Sequence, residues 1–233
     1  MADWRDAIDW NAPGIVRTNG IDMAVHETGP EDSPLPPLVF CHGFPELAFS
    51  WRHQLAGLGA RGFRCLAPDQ RGYGRTSRPE AVEAYDMEAL CADLVGLLDA
   101  KGIEKAIFVG HDWGGMVAWQ MPVRHPDRVA AVIGLNTPYT KRPDMDPIAL
   151  YRKRFGEDMY IVRFQEPGVI DAAFAEDAEK TIRYFMRLPD VTPEAFEARP
   201  ANRRNLALQE ALKRYRPEAD AQQFLAPFLN GHK

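Results

Sequence analysis

Residues 109–119 read VGHDWGGMVAW, and glycines flank a central triplet of His111, Asp112 and Trp113. An apolar run precedes the triplet and a helix-like stretch follows it, which predicts a strand, a sharp turn and a helix. Small residues beside the apex permit such a turn, which lifts the side chain of Asp112 above the carboxyl ends of the strands. The pattern is typical of an elbow that presents a nucleophile. An ordinary turn or N-cap role for Asp112 is the alternative interpretation.

The elbow lies within a series of apolar runs that alternate with helix-like segments. Two short runs meet at Asn19-Gly20, which predicts a hairpin. Buried strands are predicted in PPLVFCHG (36–43), FRCLAPD (63–69), AIFVG (106–110) and RVAAVIGLN (128–136), and helices over 46–60, 86–101 and 114–125. This alternation indicates the α/β class, with a mostly parallel sheet covered on both faces. The pattern ends near Pro138, so we predict a core over residues 1–137 and a second, helical module over 138–233.

Composition excludes several functional classes. The chain has 233 residues and a formal net charge of −5, without a basic stripe, which argues against a nucleic-acid partner. Its longest apolar run, 129–135, is too short to span a bilayer, and the polar N-terminus does not resemble a signal peptide. Three cysteines without a C-x-x-C pair indicate neither a disulfide framework nor a zinc site. We therefore expect a cytoplasmic protein without a membrane partner, metal or cofactor, and the sequence leaves its oligomeric state open.

A second motif, CHGFPE (41–46), follows the first predicted core strand. In folds with this kind of elbow, the loop after that strand supplies one backbone N–H of an oxyanion hole, and the residue after the nucleophile supplies the other. These would be the amides of Phe44 and Trp113. A simple strand-to-helix turn is the alternative interpretation of His42 and Gly43.

Taken together, these motifs resemble those of a known family. HGFPE (42–46), SWRHQ (50–54), APDQRGYGRTSRP (67–79) and VGHDWGG (109–115) are similar to the epoxide hydrolase branch of the α/β-hydrolase superfamily. The stretch YIVRFQEPGV (160–169) resembles the helical cap, or lid, of soluble epoxide hydrolases. The resemblance implies an α/β-hydrolase fold with a helical cap over 138–233, and a small apolar epoxide and water as reactants.

The resemblance also implies a role for each residue of the site. Asp112 matches the nucleophile, and Tyr160 matches the first of two cap tyrosines that donate a proton to the epoxide oxygen. The amides of Phe44 and Trp113 match the oxyanion hole. Substrate contacts are expected from His42, Pro45 and Trp51, although Trp51 equally suits a core position.

Asp in place of the more familiar Ser suits attack on saturated carbon, because a carboxylate displaces the epoxide oxygen and forms an alkyl ester. Water then attacks the carbonyl of that ester, and the oxyanion hole stabilises the tetrahedral intermediate. A proton donor is needed at the ring oxygen, since an alkoxide is a poor leaving group.

Two other functions remain open at this point. Haloalkane dehalogenases use the same Asp nucleophile, but their second halide donor would need a cap Trp or an Asn where Phe44 stands. A non-catalytic binding protein on the same fold is the other alternative. The expected general-base His, its acid partner, the second cap tyrosine and the last core strands are not found in the sequence. We therefore expect a C-terminally truncated chain that captures an epoxide at Asp112 and releases it slowly.

Overall fold

The computed structural model describes residues 7–141, 144–157, 159–179 and 181–182. Six strands are present: β1 (Gly14–Thr18), β2 (Ile21–Thr28), β3 (Leu38–Cys41), β4 (Cys65–Pro68), β5 (Ala106–His111) and β6 (Val129–Leu135). They form one sheet in the order β1-β2-β4-β3-β5-β6. The pairs β4–β3, β3–β5 and β5–β6 are parallel, and β1 and β2 are antiparallel to their neighbours. The predicted α/β class and mostly parallel sheet are confirmed.

Six α-helices accompany the sheet in the described residues: α1 (Arg52–Gly59), α2 (Met87–Ala100), α3 (Trp113–Arg124), α4 (Pro147–Phe155), α5 (Tyr160–Arg163) and α6 (Val169–Glu176). Short 3-10 helices occur at Ala48–Trp51, Val82–Tyr85 and Pro126–Arg128. The side chain of Asp86 caps α2 by accepting a hydrogen bond from Ala89 N at 2.8 Å, which explains where this helix begins.

The hairpin between β1 and β2 turns at Asn19-Gly20, as predicted. Asn19 and Gly20 have φ values of 43° and 77°. A two-residue hairpin turn of the type that matches strand twist needs positive φ at both positions, and Asn followed by Gly adopts it at low cost.

Apolar side chains form one core cluster on each face of the sheet. Successive residues of a strand point to opposite faces, and in β3 Leu38 and Phe40 enter one cluster while Val39 and Cys41 enter the other. The helices α2 and α3 cover the Val39 face, and α1 covers the Phe40 face. Both faces of the sheet are therefore covered by helices, so a site has to be formed by the loops at the ends of the strands.

The helix predicted over 46–60 begins later than expected. Leu47 is extended, a 3-10 turn follows over Ala48–Trp51, and the α-helix starts at Arg52. Glu46 instead closes a turn, in which its backbone N–H and its carboxylate both bond to Gly43, and the extended Leu47 that follows separates this turn from the helix.

The strand β6 lies at one edge of the described sheet. It pairs with β5 along one side, and among the described residues no strand pairs with its other side. Its side chains are only partly buried, unlike those of β3 and β4, which are fully buried. An edge of this kind exposes backbone donors and acceptors that another strand would normally satisfy.

Among the described residues after Pro138, the regular elements are helices, and the predicted second module stays a prediction. Residues up to Ile170 form one compact unit and Asp171 begins another, whereas the predicted boundary at 137/138 stays a prediction. Residues 183–233 of the predicted module lie outside the described residues. Among the described helices, none combines the length and apolar character that crossing a membrane requires.

Candidate active site

The predicted elbow is present as a strand, a one-residue turn and a helix. β5 ends at His111, α3 begins at Trp113, and Asp112 between them has φ 52° and ψ −123°. This backbone conformation is strained for a residue with a side chain. The glycines are required by contact, because a Cβ on Gly110 would lie 2.3 Å from the Gly114 carbonyl oxygen. A Cβ on Gly114 would lie 2.1 Å from the Cys41 carbonyl oxygen.

The carbonyl oxygen of Asp112 accepts three hydrogen bonds. Two come from the start of α3, from Gly115 N at 3.0 Å and Met116 N at 3.3 Å. The third comes from the hydroxyl of Thr137 at 3.0 Å, after the end of β6. The strained peptide is therefore held from its own helix and from a neighbouring strand.

The loop after β3 brings the predicted amide of Phe44 to the nucleophile. Phe44 N–H donates to Oδ1 of Asp112 at 3.0 Å. Gly43 makes this approach possible, because a Cβ there would lie 2.5 Å from Cβ of Asp112. Among the described residues, Oδ2 of Asp112 has no hydrogen-bond donor, so this oxygen is left to react. The Phe44–Pro45 peptide bond is cis, and the predicted substrate contact of Pro45 stays a prediction.

Trp113 follows Asp112 directly and opens α3. Its amide lies in the first helical turn, where backbone N–H groups favour negative charge. A role of this amide in an oxyanion hole stays a prediction. The indole is 45% exposed, which places an apolar surface beside the elbow.

A histidine and a glutamate fix the loop that carries Phe44. Nδ1 of His111 lies 3.0 Å from Oε2 of Glu46, and the same oxygen accepts from Gly43 N–H at 2.9 Å. The hydrogen bond to Glu46 raises the pKa of His111. Burial acts to raise the pKa of Glu46, but the hydrogen bonds from His111 and Gly43 outweigh it, so this pKa is lowered. Both shifts favour an ion pair between the elbow and the loop.

His42 lies beneath this loop rather than at its surface. It is fully buried, its Nδ1 contacts Gly43 O at 2.9 Å, and its Nε2 accepts from Gln70 N at 3.0 Å. Burial lowers the pKa of His42, so the imidazole is neutral, with its proton on Nδ1. The ring thus supports the loop, and the predicted substrate contact of His42 is not favoured by this geometry.

Trp51 occupies the core position that the sequence left open. It is 5% exposed and packs on Phe40 with ring centroids 5.2 Å apart. Its neighbours are those of the apolar cluster beside α1. These contacts give Trp51 a packing role, and its predicted substrate contact stays a prediction.

Tyr160 reaches the neighbourhood of Asp112 through aromatic contacts. Its ring lies 5.5 Å from that of Phe164, which lies 5.4 Å from that of Phe44, and both pairs meet edge to face. Burial, and then the negative charge of Asp112, raise the pKa of Tyr160. A tyrosine with a raised pKa keeps its proton at neutral pH and is able to donate it.

Several residues of this site were missed in the sequence. Glu46 belongs to the quoted motif HGFPE but was given no role, and Thr137 had only its position close to the end of a strand as a signal. Phe164 belongs to the quoted stretch 160–169, but its contact with Phe44 has no local signature. Tyr73 packs edge to face on His42 at 4.9 Å, and burial, followed by the charge of Asp112, raises its pKa to about 12.

The arrangement suits nucleophilic chemistry. It combines a carboxylate on a strained turn, one oxygen held by a backbone amide, a protonated tyrosine nearby and an exposed aromatic surface. Such a group attacks an electrophilic carbon, and the amide is placed to hold charge on the oxygen that it already contacts.

Comparison with known proteins gives consistent results. The sequence matches the family described as alpha/beta hydrolase fold over residues 36–227. It is 52% identical over 170 residues to epoxide hydrolase A of Mycobacterium tuberculosis, covering 72% of this chain and 52% of that protein. It is 40% identical over 215 residues to epoxide hydrolase 1 of Siraitia grosvenorii, covering 91% of this chain and 66% of that protein.

Solved structures agree with these sequence matches. Epoxide hydrolase A of Mycobacterium thermoresistibile matches with a TM-score of 0.73 and 47% identity, covering 80% of this chain and 58% of that one. An epoxide hydrolase of Vigna radiata matches with a TM-score of 0.72 and 38% identity, covering 78% and 55%. The chain therefore spans 52% to 66% of the lengths of these four relatives.

Proposed function

The chain belongs to the alpha/beta hydrolase fold family, and from this premise we propose that it opens an epoxide through a covalent ester on Asp112. The observation that carries the proposal is the hydrogen bond from Phe44 N–H to Oδ1 of Asp112 at 3.0 Å. It orients the carboxylate and leaves Oδ2 to attack. Relatives named epoxide hydrolases, at 40% to 52% identity, support the choice of substrate class.

In the first step, Oδ2 of Asp112 forms a bond to one epoxide carbon. The bond between that carbon and the ring oxygen breaks, and the ring oxygen leaves with the electron pair. The hydroxyl of Tyr160 gives its proton to this oxygen, and the resulting phenolate regains a proton from solvent. The pKa of Tyr160 is raised, so the hydroxyl is protonated before the reaction; the role as donor rests on its position beside Phe164 and Phe44.

In the second step, water attacks the ester carbonyl and the vicinal diol leaves. Negative charge develops on the carboxyl oxygen that Phe44 N–H already contacts, and the amide of Trp113 is proposed as the second donor. A general base must take the proton of that water. The ester on Asp112 is the intermediate between the two steps, and its added mass makes it measurable.

Mass spectrometry of the intact chain after exposure to styrene oxide tests the proposal. We expect the mass of one epoxide to be added, with the modification mapped to Asp112 by peptide analysis. The D112N variant should remain unmodified, because an amide is a poor nucleophile. Absence of the adduct on wild-type chain, with equal ligand binding by wild type and D112N, would instead support a binding protein.

Y160F provides a matched test of the proton donor, since it removes only the hydroxyl. We expect adduct formation with styrene oxide to slow by about 10²-fold or more, the usual contribution of general acid catalysis. A bromoalkane serves as the control substrate, because bromide leaves without protonation. An equal slowing with both substrates would contradict the role of Tyr160, and a preference for the bromoalkane would favour dehalogenase chemistry.

A cytoplasmic setting is also part of the proposal. The three cysteines are buried and unpaired in disulfides. Burial raises the pKa of Cys41 and Cys65 to about 12 and that of Cys91 to about 11, so each thiol stays protonated. Buried thiols of this kind are typical of a reducing compartment.

A further inference from the structure

Thr137 lies two residues beyond β6, at the position where the chain leaves the sheet. The register of β6 on β5 sets Leu135 opposite His111, which brings the following residues beside the elbow. The hydroxyl of Thr137 donates to the carbonyl oxygen of Asp112 at 3.0 Å. Its own carbonyl oxygen accepts from Nε1 of Trp119 at 2.7 Å, so the threonine is itself held by α3.

The helix α3 leaves room for this side chain. A Cβ on Gly115 would lie 2.6 Å from Cβ of Thr137 and 2.9 Å from its hydroxyl oxygen. Glycine inside a helix costs about 0.5–1 kcal/mol relative to alanine. The close approach of Thr137 is the structural reason for a glycine at this position.

The hydroxyl contacts the strained part of the chain. Asp112 has φ 52°, and such a conformation persists only where its surroundings over-determine it. The other two hydrogen bonds to its carbonyl come from Gly115 and Met116, in the same helix. Among the donors to this carbonyl in the described part of the chain, only Thr137 comes from outside the elbow and α3.

We propose that Thr137 is a positioning residue whose hydroxyl fixes the Asp112 peptide and thereby aims the carboxylate at the substrate and at the Phe44 amide. The inference rests on the proposed function, since it concerns the rate of ester formation on Asp112. Thr137 touches no reacting atom and acts only through the backbone of Asp112.

Two substitutions separate the hydroxyl from the packing of this side chain. T137V keeps the branched shape against Gly115 and removes the donor. T137S keeps the donor and removes the methyl group. If Thr137 only packs, T137S, which loses the methyl group, should be the more harmful variant. If Thr137 positions Asp112, T137V, which loses the hydroxyl, should slow adduct formation more than T137S does.

The experiment measures adduct formation by the full chain with excess styrene oxide, by mass spectrometry over time. We expect T137V to react about tenfold more slowly at saturating epoxide, because small displacements of a reacting group reduce rates steeply. T137S should react within about twofold of wild type, with the thermal midpoints of both variants recorded beside the rates. A wild-type rate for T137V, or equal slowing by T137S, would overturn the inference. If T137V does not fold, T137A replaces it, since it removes the hydroxyl with less crowding.

Failure of the proposed function remains distinguishable from failure of this inference. If wild-type chain forms no adduct, amide hydrogen exchange at Gly115 and Met116 is the deciding measurement, because both amides bond to the Asp112 carbonyl. We expect exchange there to be about tenfold faster in T137V than in wild type or T137S, with α2 unchanged. Equal exchange in all three proteins would refute the role of Thr137 whether or not the site is catalytic.

Discussion

Replacing Gly43 by alanine tests the contact between the loop and the nucleophile. The added Cβ would lie 2.5 Å from Cβ and 2.8 Å from Oδ1 of Asp112. Non-bonded carbon atoms approach to about 3.5–4.0 Å, so the loop must move by about 1 Å. Asp112 is unable to move away, because three hydrogen bonds hold its carbonyl. Gly43 has no positive φ, so the effect is steric rather than conformational.

The displacement breaks the hydrogen bond that orients the carboxylate. Phe44 N and Oδ1 of Asp112 are 3.0 Å apart, and a shift of about 1 Å takes them beyond hydrogen-bonding distance. A misplacement of this size costs about 10²-fold in rate. We therefore expect the G43A variant to form the styrene oxide adduct about 100-fold more slowly than wild-type chain.

The assay is again the rate of adduct formation with styrene oxide, followed by mass spectrometry. The control variant is G57A, which adds a methyl group to a glycine within a helix. A Cβ on Gly57 in α1 would meet its nearest atom, Nη1 of Arg61, at 3.5 Å, which is an ordinary contact. G57A should therefore react at the wild-type rate and gain about 0.5–1 kcal/mol of stability. A folded G43A chain that reacts as fast as G57A would refute the steric reasoning and the importance of the Phe44 amide.

Two further predictions concern the charged pairs of the fold. The buried carboxylate of Asp93, 2% exposed, accepts from Nε of Arg71 at 2.8 Å. Because D93N leaves a buried cation unpaired, it should lower the free energy of unfolding, measured in urea, by about 3–5 kcal/mol. D99N removes the ion pair with Arg128, in which Asp99 is 63% exposed, and should lower the free energy of unfolding by about 0–1 kcal/mol. Equal losses in D93N and D99N would contradict this contrast between a buried and an exposed pair. In NMR titration, the pKa of His111 should lie above its usual value and fall in E46Q. Because the folded-state pKa is raised, the stabilisation from His111 is full below the usual histidine pKa and is lost as pH rises through the folded value. An unchanged His111 pKa in E46Q would show that Glu46 is not its cause.

The architecture is readable from the sequence because its signals are local. Each parallel strand is a short apolar run, the hairpin turn is the dipeptide Asn19-Gly20, and the elbow is compressed into residues 109–115. Asp86 marks the start of α2 directly. In these segments the residues that determine an element lie within or next to that element, so a local sequence pattern is sufficient to predict it.

The rest of the site arises from contacts between distant parts of the chain. Glu46 lies at the end of the motif HGFPE, but its pairing with His111 and the late start of the helix predicted from position 46 have no signal in that motif. Thr137 has no motif, and only the register of β6 on β5 brings it to the elbow. Burial of His42 and Trp51 likewise depends on how α1 and the loops pack, which no single stretch encodes.

The stretch 160–164 packs against the loop that carries Phe44. The ring of Phe44 is linked through Phe164 to Tyr160, so the residue that supplies the amide also supports the proposed proton donor. A change at Gly43 moves the Phe44 backbone and therefore perturbs both groups, whereas the hydroxyl of Thr137 bonds to the Asp112 peptide. In the proposed mechanism, the hydroxyl of Tyr160 acts in proton transfer. Substitutions at Thr137 and Tyr160 thus separate support of the Asp112 backbone from protonation of the leaving oxygen, whereas G43A changes the orientation of the carboxylate and the support of Tyr160 together.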